Sequence, residues 1–228
     1  MASTLHDTAK SGTDNSSGTS TPTADTLAVT ANDSILVICK WEGATAGSVA
    51  SVSDGVDTYT AATSQIDHTN NDLHMQLFWT KATTTGTRTI TFTLTGARSF
   101  RRCAAASFTP SAGITNWTLG NVSSGTLGNS NASPTAGTTT GGPGVAFVGY
   151  GMYGDRDLTA GSGWTVPAEL DNTMACGEYQ FPTAGSTSLT GDGSFSAGVE
   201  WLAQMVFLNE SGGGGGGAAS VENVIWMS

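Results

Sequence analysis

The segment Thr87-Arg-Thr-Ile-Thr-Phe-Thr-Leu-Thr95 alternates between threonine and large apolar residues over most of its length. Ile90, Phe92 and Leu94 occupy every second position, so an extended chain places them on one face and the threonines on the other. One apolar and one polar face are typical of a β-strand with a single buried side. This segment therefore predicts a half-buried strand in an antiparallel sheet.

Strand-like runs of this kind follow one another from about residue 26 to residue 209. They are rich in Val, Ile, Thr, Phe and Trp and are bounded by Gly, Asn, Asp or Pro, which is the pattern of short strands joined by turns. The predicted strands are residues 27–30, 35–42, 49–53, 58–61, 73–81, 87–95, 99–109, 117–122, 145–152, 174–181, 186–190 and 198–208. The predicted fold is all-β, an antiparallel β-sandwich of jelly-roll-like form.

Two parts of the sequence resemble each other at an offset of about 100 residues. The tripeptide Trp79-Thr-Lys, a later glycine and Thr89-Ile-Thr form the first series. Tyr179-Gln-Phe, a later glycine and Ser188-Leu-Thr form the second, at matching intervals. The pattern indicates an internal duplication, in which two halves pair their apolar faces to make the sandwich.

The composition supports an all-β fold and excludes one class of function. Charged residues make up 11% of the 228 residues, against roughly 25% in soluble domains, which leaves little material for long surface helices. The formal net charge is -10, from 18 acidic and 8 basic residues. Binding to nucleic-acid phosphates needs a basic surface, so this charge excludes it.

Both ends of the chain differ in composition from its middle. Residues 1–25 contain almost no large apolar side chain, and such a segment gains too little from burial to offset the entropy of ordering it. We therefore expect a flexible or extended N-terminal arm at 1–25 and a β-sandwich domain at 26–210. Residues 211–228 are expected to form a glycine-rich linker and an apolar tail.

The C-terminal tail carries the most specific interaction signal in the sequence. Residues 212–217 are consecutive glycines, whose r.m.s. reach as a flexible chain is about 13 Å. The apolar residues beyond them are Val221, Val224, Ile225, Trp226 and Met227. Exposed together, these side chains would favour aggregation, so we expect them to dock on their own sandwich or on a neighbouring molecule.

The cysteines and the N-terminal sequence indicate where the protein is made. Cys39, Cys103 and Cys176 are widely spaced and odd in number, which favours buried reduced thiols over disulfides. No basic segment followed by an apolar segment begins the chain, and its longest apolar runs are too short to span a bilayer. We expect synthesis in the cytoplasm and no membrane partner.

The sequence lacks the motifs of common hydrolases and nucleotide-binding enzymes. It contains no Gly-x-Ser-x-Gly, and no Lys-Ser/Thr follows the glycine run. Metal-type ligands cluster at Asp67-His68-Thr-Asn-Asn-Asp72-Leu-His74, but their spacing matches no known metal site. A polar turn with both histidines near solvent is the favoured interpretation. We predict no catalytic residue, no metal site and no cofactor.

Two further acidic segments, Asp54-Gly-Val-Asp57 and Asp155-Arg-Asp157, could lend carboxylates to a calcium ion at a loop tip. Neither has the spacing of an EF-hand. Asp-Gly pairs are ordinary turn formers, so turns are the favoured interpretation.

Two tryptophans and three arginines remain as candidates for surface contacts. Trp117 and Trp164 lie in Gly/Ser/Asn-rich surroundings and are the candidate exposed platforms for a glycan. Arg98, Arg101 and Arg102 concentrate the scarce positive charge near one strand. They indicate either a contact with an acidic partner or protection of a sheet edge against unwanted pairing.

Three further short segments are Val52-Ser-Asp-Gly-Val-Asp-Thr-Tyr-Thr60, Trp79-Thr-Lys81 with Gly86-Thr-Arg-Thr-Ile-Thr91, and Ser162-Gly-Trp-Thr165. They resemble a β-sandwich module common in bacteriophage structural proteins and in some bacterial surface proteins. Their order and spacing also fit, and with the adjoining strands they span about residues 26 to 209. The chain departs from the module at Asp57, where the module has Asn. The resemblance implies a role in virion structure without enzymatic activity.

We therefore expect a non-enzymatic virion protein that decorates or cements the outside of a phage capsid. The expected partner is the major capsid protein or another virion protein, bound through subunit contacts and terminal arms. A symmetric homo-oligomer, for example a trimer, suits multivalent attachment, and a net negative charge disfavours self-association before assembly. The alternative is a carbohydrate-binding, host-attachment module of a fibre or tail, with Trp117 and Trp164 as its glycan contacts.

Overall fold

The computed structural model describes residues 2–11, 16–23, 25–43, 47–68, 72–123, 125–131, 133–141, 143–182 and 187–211. Within them the strands in chain order are β1 Thr4–Lys10, β2 Gly18–Pro22, β3 Leu27–Val29, β4 Ser34–Glu42, β5 Val49–Ser53, β6 Thr60–Ala61, β7 Ile66–His68, β8 Leu73–Lys81, β9 Gly86–Arg88, β10 Thr91–Thr109, β11 Asn116–Val122, β12 Thr126–Asn131, β13 Gly137–Gly141, β14 Gly144–Arg156, β15 Leu158–Thr159, β16 Thr173–Gln180, β17 Thr187–Gly191, β18 Ser194–Phe195 and β19 Val199–Ser211. The helical structure in this part of the chain is one 3-10 turn, Ala168–Leu170. The all-β prediction is confirmed.

Two large antiparallel sheets form the centre of the molecule. The first sheet has the order β1-β10-β4-β8-β6, with β7 also paired to β8. The second has the order β11-β19-β14-β16, with β12 also paired to β19. No helix in the described ranges is long and apolar enough to cross a membrane.

The two sheets pack face to face around one apolar core. Leu36 and Ile38 of β4 and Leu77 of β8 lie in the same cluster of buried side chains as Phe147 of β14 and Val206 of β19. Because successive residues of a strand point to opposite faces, the residues between them face outward. The packing is that of a β-sandwich, whereas the jelly-roll topology stays a prediction.

The outward faces of both sheets are also buried. Val37 and Trp41 of β4 lie in a second core with Phe92 of β10. Tyr150 of β14 and Phe207 of β19 lie in a third core, on the other side of the second sheet. Smaller strands contribute to these outer layers, including the pairs β3-β9, β13-β17 and β15-β18. Burial on both faces explains why β4 is buried along its whole length.

The strand order repeats in the two halves of the chain. The neighbours β10, β4 and β8 of the first sheet correspond to β19, β14 and β16 of the second, in the same chain order. The pair β3-β9 corresponds likewise to β13-β17. This repeated topology agrees with the duplication expected from the sequence.

The N-terminal segment belongs to the sandwich, which corrects the expected boundary at residue 26. Strand β1 pairs with the second half of β10, and β2 pairs with its first half. Ala9, Thr21 and Thr23 are almost fully buried. The segment is extended, which was one of the two expected forms. It is part of the sandwich because its small side chains fit under neighbouring strands. The rest of the fold supplies the apolar surface that residues 1–25 lack.

Candidate functional site

A cleft lies at one end of the sandwich, between the ends of strands from both sheets. Its volume is about 220 Å³, and its lining residues are Glu42, Gly43, Asp72, Ser99, Phe100 and Tyr153. Glu42 ends β4, where it pairs with Ser99 of β10. Tyr153 comes from β14 of the second sheet and is 51% exposed. Most pockets for small molecules have volumes of roughly 300–1,000 Å³, so this cleft is small.

A β-bulge in β10 shapes the cleft. The register with β4 shifts between Ser99 and Arg102, and Phe100 has a φ of 47°, a left-handed conformation that is uncommon outside glycine. Asp72, at the start of β8, also has a positive φ, of 51°. Two lining residues thus have left-handed backbone conformations, which are found at binding sites and at strand ends alike.

A buried ion pair supports the wall of the cleft. The ammonium of Lys40 donates a hydrogen bond to the carboxylate of Glu42. It also lies 3.3 Å from the carbonyl oxygen of Phe100, to which it donates a second hydrogen bond. Burial lowers the pKa of Lys40 to about 8, although the adjacent Glu42 favours the charged amine. Lys40 itself is fully buried, so it holds Glu42 in place and does not line the cleft.

The predicted glycan platforms are not at the surface, which corrects that expectation. Trp117 is 5% exposed and Trp164 is 7% exposed. Each indole N–H donates to a backbone carbonyl at 3.0 Å, that of Asn32 and that of Thr190 respectively. A tryptophan ring buried in this way cannot stack on a sugar. A glycine-rich sequence does not by itself indicate exposure, since a segment without side chains can pack closely on a ring, as Gly161 does on Trp164.

The histidine and aspartate cluster is structural. The Nδ1 atom of His74 lies 2.6 Å from Asp67 and its Nε2 atom lies 3.0 Å from the carbonyl of Gly43. Both partners are hydrogen-bond acceptors. The ring also stacks on Trp41. His68 and His74 are 2% and 4% exposed, so the expectation that they lie near solvent is wrong.

The acidic turn at Asp54 and Asp57 is confirmed as a turn. Asp54 accepts hydrogen bonds from the backbone N–H groups of Val56 and Asp57 and from the hydroxyl of Tyr59. The guanidinium of Arg88 lies between the two carboxylates. Its Nε atom is 3.4 Å from an oxygen of Asp54 and 3.6 Å from an oxygen of Asp57. Burial and the neighbouring Asp54 raise the pKa of Tyr59 well above its usual value.

The clustered arginines are largely internal, which corrects both surface interpretations for two of them. Arg101 and Arg102 are each 2% exposed. The Arg101 guanidinium donates to the hydroxyl of Thr21 at 2.7 Å and to the carbonyl of Ser16 at 2.8 Å. Arg101 therefore fastens the N-terminal segment to β10.

A buried carboxylate that the sequence did not single out lies in the second half of the chain. Glu178 of β16 accepts hydrogen bonds from the Tyr150 hydroxyl at 2.5 Å and from the backbone N–H groups of Gly161, at 2.8 Å, and Gly193, at 3.2 Å. Burial raises the pKa of Glu178, and these donors act in the opposite direction. Its role is to tie two loops to the outer face of the second sheet, and no local sequence pattern signals such a long-range contact.

The remaining site predictions concern the C-terminal tail. The predicted docking residues Val221, Val224, Ile225, Trp226 and Met227 lie outside the described residues. Among the described residues, no group of three or more His, Cys, Asp and Glu side chains could hold a metal ion.

Comparisons with known proteins give no relative. No family model, no curated protein and no solved structure matches this chain.

Proposed function

We propose that this protein is a non-enzymatic structural component of a bacteriophage particle, located on the outside of the capsid. It attaches as a homo-oligomer to the major capsid protein or to another virion protein, and its C-terminal segment docks on that neighbour. Assembly takes place in the host cytoplasm.

The observation that carries this proposal is that buried side chains able to do acid-base chemistry are engaged in hydrogen bonds and ion pairs within the fold. The carboxylates of Asp54, Asp57 and Glu178 and the imidazole of His74 each bind groups that hold strands or loops together. Lys40 likewise forms an ion pair with Glu42. An arrangement of this kind favours rigidity over turnover, because a catalytic group must face a substrate.

The positions of the two chain ends also support an assembly role. The hydroxyl of Ser3 donates to the carboxylate of Glu210 at 2.7 Å, so the first and the last described strands meet at one end of the sandwich. Ser34, the first residue of β4, pairs with Phe108 of β10, next to the pair of Thr109 with Thr4, so it lies at this end. Glu42, the last residue of β4, lines the cleft, so the cleft lies at the opposite end. Residues beyond 211 therefore start from the end that lies opposite the cleft.

Particles of the virus that encodes this sequence provide the test of the proposal. We expect the protein in gradient-purified virions at a fixed ratio to the capsid protein, measured by quantitative mass spectrometry. Antibodies against the folded chain should label intact heads in electron micrographs. Absence from purified virions, or labelling of disrupted heads alone, would contradict the proposal.

One observation favours carbohydrate binding as a second candidate. The cleft is lined by the exposed residue Tyr153 together with Phe100 and two acidic residues, Glu42 and Asp72. Aromatic rings can stack on the apolar face of a sugar, while carboxylates accept hydrogen bonds from its hydroxyls. The site would suit one or two sugar units, given its volume of about 220 Å³.

A glycan array separates the two candidates. A structural subunit gives no signal, whereas a sugar-binding subunit gives a signal that Tyr153→Ala removes. Val56→Ala is the matched control, because Val56 is 54% exposed and does not line the cleft. Equal loss with both variants would locate any glycan binding elsewhere.

A further inference from the structure

Three large apolar side chains are exposed along one edge of the second sheet. Leu119 is 37% exposed, Val122 is 43% exposed and Leu127 is 54% exposed. They belong to β11 and β12, which pair in succession with β19. We call these three side chains the apolar seam.

The seam is a continuation of the core between the two sheets. Residues directly opposite each other on antiparallel strands share a face of the sheet. The opposed pairs are Leu119 with Leu208, Val122 with Val206 and Leu127 with Leu202. All three β19 partners are fully buried members of the core between the sheets. The seam therefore lies on the inward face of the second sheet.

The exposed fraction of the side chains increases along this face, from Trp117 through Leu119 to Leu127. Trp117, on the same face of β11, is covered by the loop of Asn32, which accepts its indole hydrogen bond. Leu119 is less covered, and Leu127 is the most exposed of the series.

The opposite side of the sandwich is closed. There the 3-10 turn Ala168–Leu170 packs against β1 and β16. Leu170 is fully buried in the core between the sheets, and Phe181 packs against that core. The Nζ atom of Lys10, in β1, lies 3.9 Å from the Oε2 atom of Glu169, in the 3-10 turn. The two sides of the same core thus differ, and the seam is the side that the described residues leave partly uncovered.

We propose that in the isolated protein, not yet bound to a neighbouring molecule, the apolar seam is the docking site of this chain's own C-terminal segment, residues 221–227. The last described residue, Ser211, pairs with Asn116, the first residue of β11, so the tail begins at the same edge as the seam. The segment supplies Val221, Val224, Ile225, Trp226 and Met227 to cover the exposed side chains. This docking does not require that the protein is a virion component.

The lengths of the linker, the segment and the seam agree. From Leu208 to Leu202, which mark the ends of the seam, six residues of extended strand span about 20 Å. A segment of seven extended residues spans about 24 Å. The start of the seam lies three residues, or about 10 Å, from Ser211. Residues 212–220 have an r.m.s. reach of about 15–18 Å, which is enough to return to it.

Thiol cross-linking in the isolated protein tests the proposal. The double variant Val122→Cys/Val224→Cys is treated with a short bis-maleimide at neutral pH. The native cysteines are buried and interfere little. The matched control is Val56→Cys/Val224→Cys, because Val56 is 54% exposed but lies in the first half of the chain, away from the seam. We expect the seam variant to form an intramolecular product about tenfold faster, since docking raises the effective concentration of the two thiols.

A third variant checks that the seam's apolar character causes the effect. Leu127→Asp, added to the seam pair, should reduce the cross-linking rate to that of the Val56 control. Circular dichroism confirms that the fold is kept, which is expected for a half-exposed position. Equal rates for seam and control pairs, or no effect of Leu127→Asp, would overturn the proposal. Cross-linked dimers in place of the intramolecular product would overturn it as well, by assigning the seam to the tail of a second copy.

Discussion

At the scale of single residues, Lys40 gives the stability of this protein a defined dependence on pH. Its pKa in the folded state is about 8, against 10.5 for an ordinary lysine, because the amine is fully buried. Between these values the unfolded chain binds more protons than the folded chain, so the free energy of unfolding rises with pH. Below pH 8 the folded state bears the full cost of burying the charged amine.

We predict that the stability of the wild type, measured relative to Lys40→Met, rises by about 2–3 kcal/mol between pH 7 and pH 10. Urea unfolding at several pH values gives both free energies, and the subtraction removes the ionisation of other groups. A constant or falling difference over this range would show that Lys40 does not titrate as a buried amine.

The three cysteines lead to a second prediction at this scale. Cys39, Cys103 and Cys176 are buried and make no disulfide. Burial raises the pKa of Cys103 and of Cys176 to about 12, so little reactive thiolate forms at pH 8. Ellman's reagent should therefore label none of the three thiols in the native protein and all three in guanidinium chloride. Rapid labelling of any native thiol would contradict the described packing.

Single residues also show where sequence reasoning is limited. The alternation at Ile90, Phe92 and Leu94 correctly predicted buried side chains, because a local period of two is a direct consequence of strand geometry. The exposure of Trp117 and the hydrogen-bond cluster of Glu178 depend on segments distant in sequence, and no local pattern contains that information.

At the scale of secondary-structure elements, a glycine controls how closely the two sheets approach. A Cβ atom on Gly149 of β14 would lie 2.6 Å from the Cδ2 atom of Leu77 and 3.2 Å from the Cγ1 atom of Ile38, both in the first sheet. We predict that Gly149→Val lowers the free energy of unfolding by about 1–3 kcal/mol or more, as overpacked cores do.

Urea unfolding measures this effect, with Thr118→Val as the matched control. Thr118 is an exposed residue of β11, where the same β-branched side chain meets no opposing sheet. The control should change stability by less than about 0.5 kcal/mol. Similar stability of both variants would mean that the sheets do not pack closely at Gly149.

A buried arginine helps to hold β2 against β10. Arg101 donates to the hydroxyl of Thr21, within β2, and to the carbonyl of Ser16, just before β2 begins. We predict that Arg101→Ala increases amide exchange in residues 16–23 by about tenfold or more, since it removes hydrogen bonds from a charged donor. Hydrogen exchange with mass spectrometry provides the measurement.

Residues 187–191 of β17 serve as the internal control for this variant. They belong to the second half of the chain and pair with β13. Their exchange should stay unchanged, whereas a uniform increase would indicate global loss of stability. Unchanged exchange at residues 16–23 would show that β2 holds its place without Arg101.

The elements themselves were predictable to different degrees. Residues 35–42, 73–81 and 198–208 are apolar enough to be recognised, and the observed strands β4, β8 and β19 match them closely. Strands β1 and β2 were missed because their sequences, TLHDTAK and GTSTP, are mostly polar and contain no run of large apolar residues. Their order comes from pairing with β10, a contact with residues far along the chain.

At the scale of the whole molecule, the fold separates three surfaces. The chain ends meet at one end, where Ser3 contacts Glu210, and the cleft with Tyr153 lies at the other. The apolar seam runs along one side, beside β19. A rigid sandwich with its terminal segments at one end suits a subunit that attaches to a surface and directs its opposite end away from it.

The repeated topology makes the core between the sheets an interface between two similar halves. Each half contributes three equivalent central strands to it. A half of about 100 residues would expose one side of its sheet, so the two halves need each other for burial.

Reconstitution on particles that lack this protein tests the central proposal most directly. The full chain, a chain truncated after Ser211 and a chain with Ile225→Ser/Trp226→Ser are added separately to such particles and imaged by cryo-electron microscopy. We predict density for this subunit on the outer surface of the head with the full chain, and its loss or strong reduction with both variants. Particles that bind none of the three chains, or that bind the truncated chain to full occupancy, would contradict the proposal.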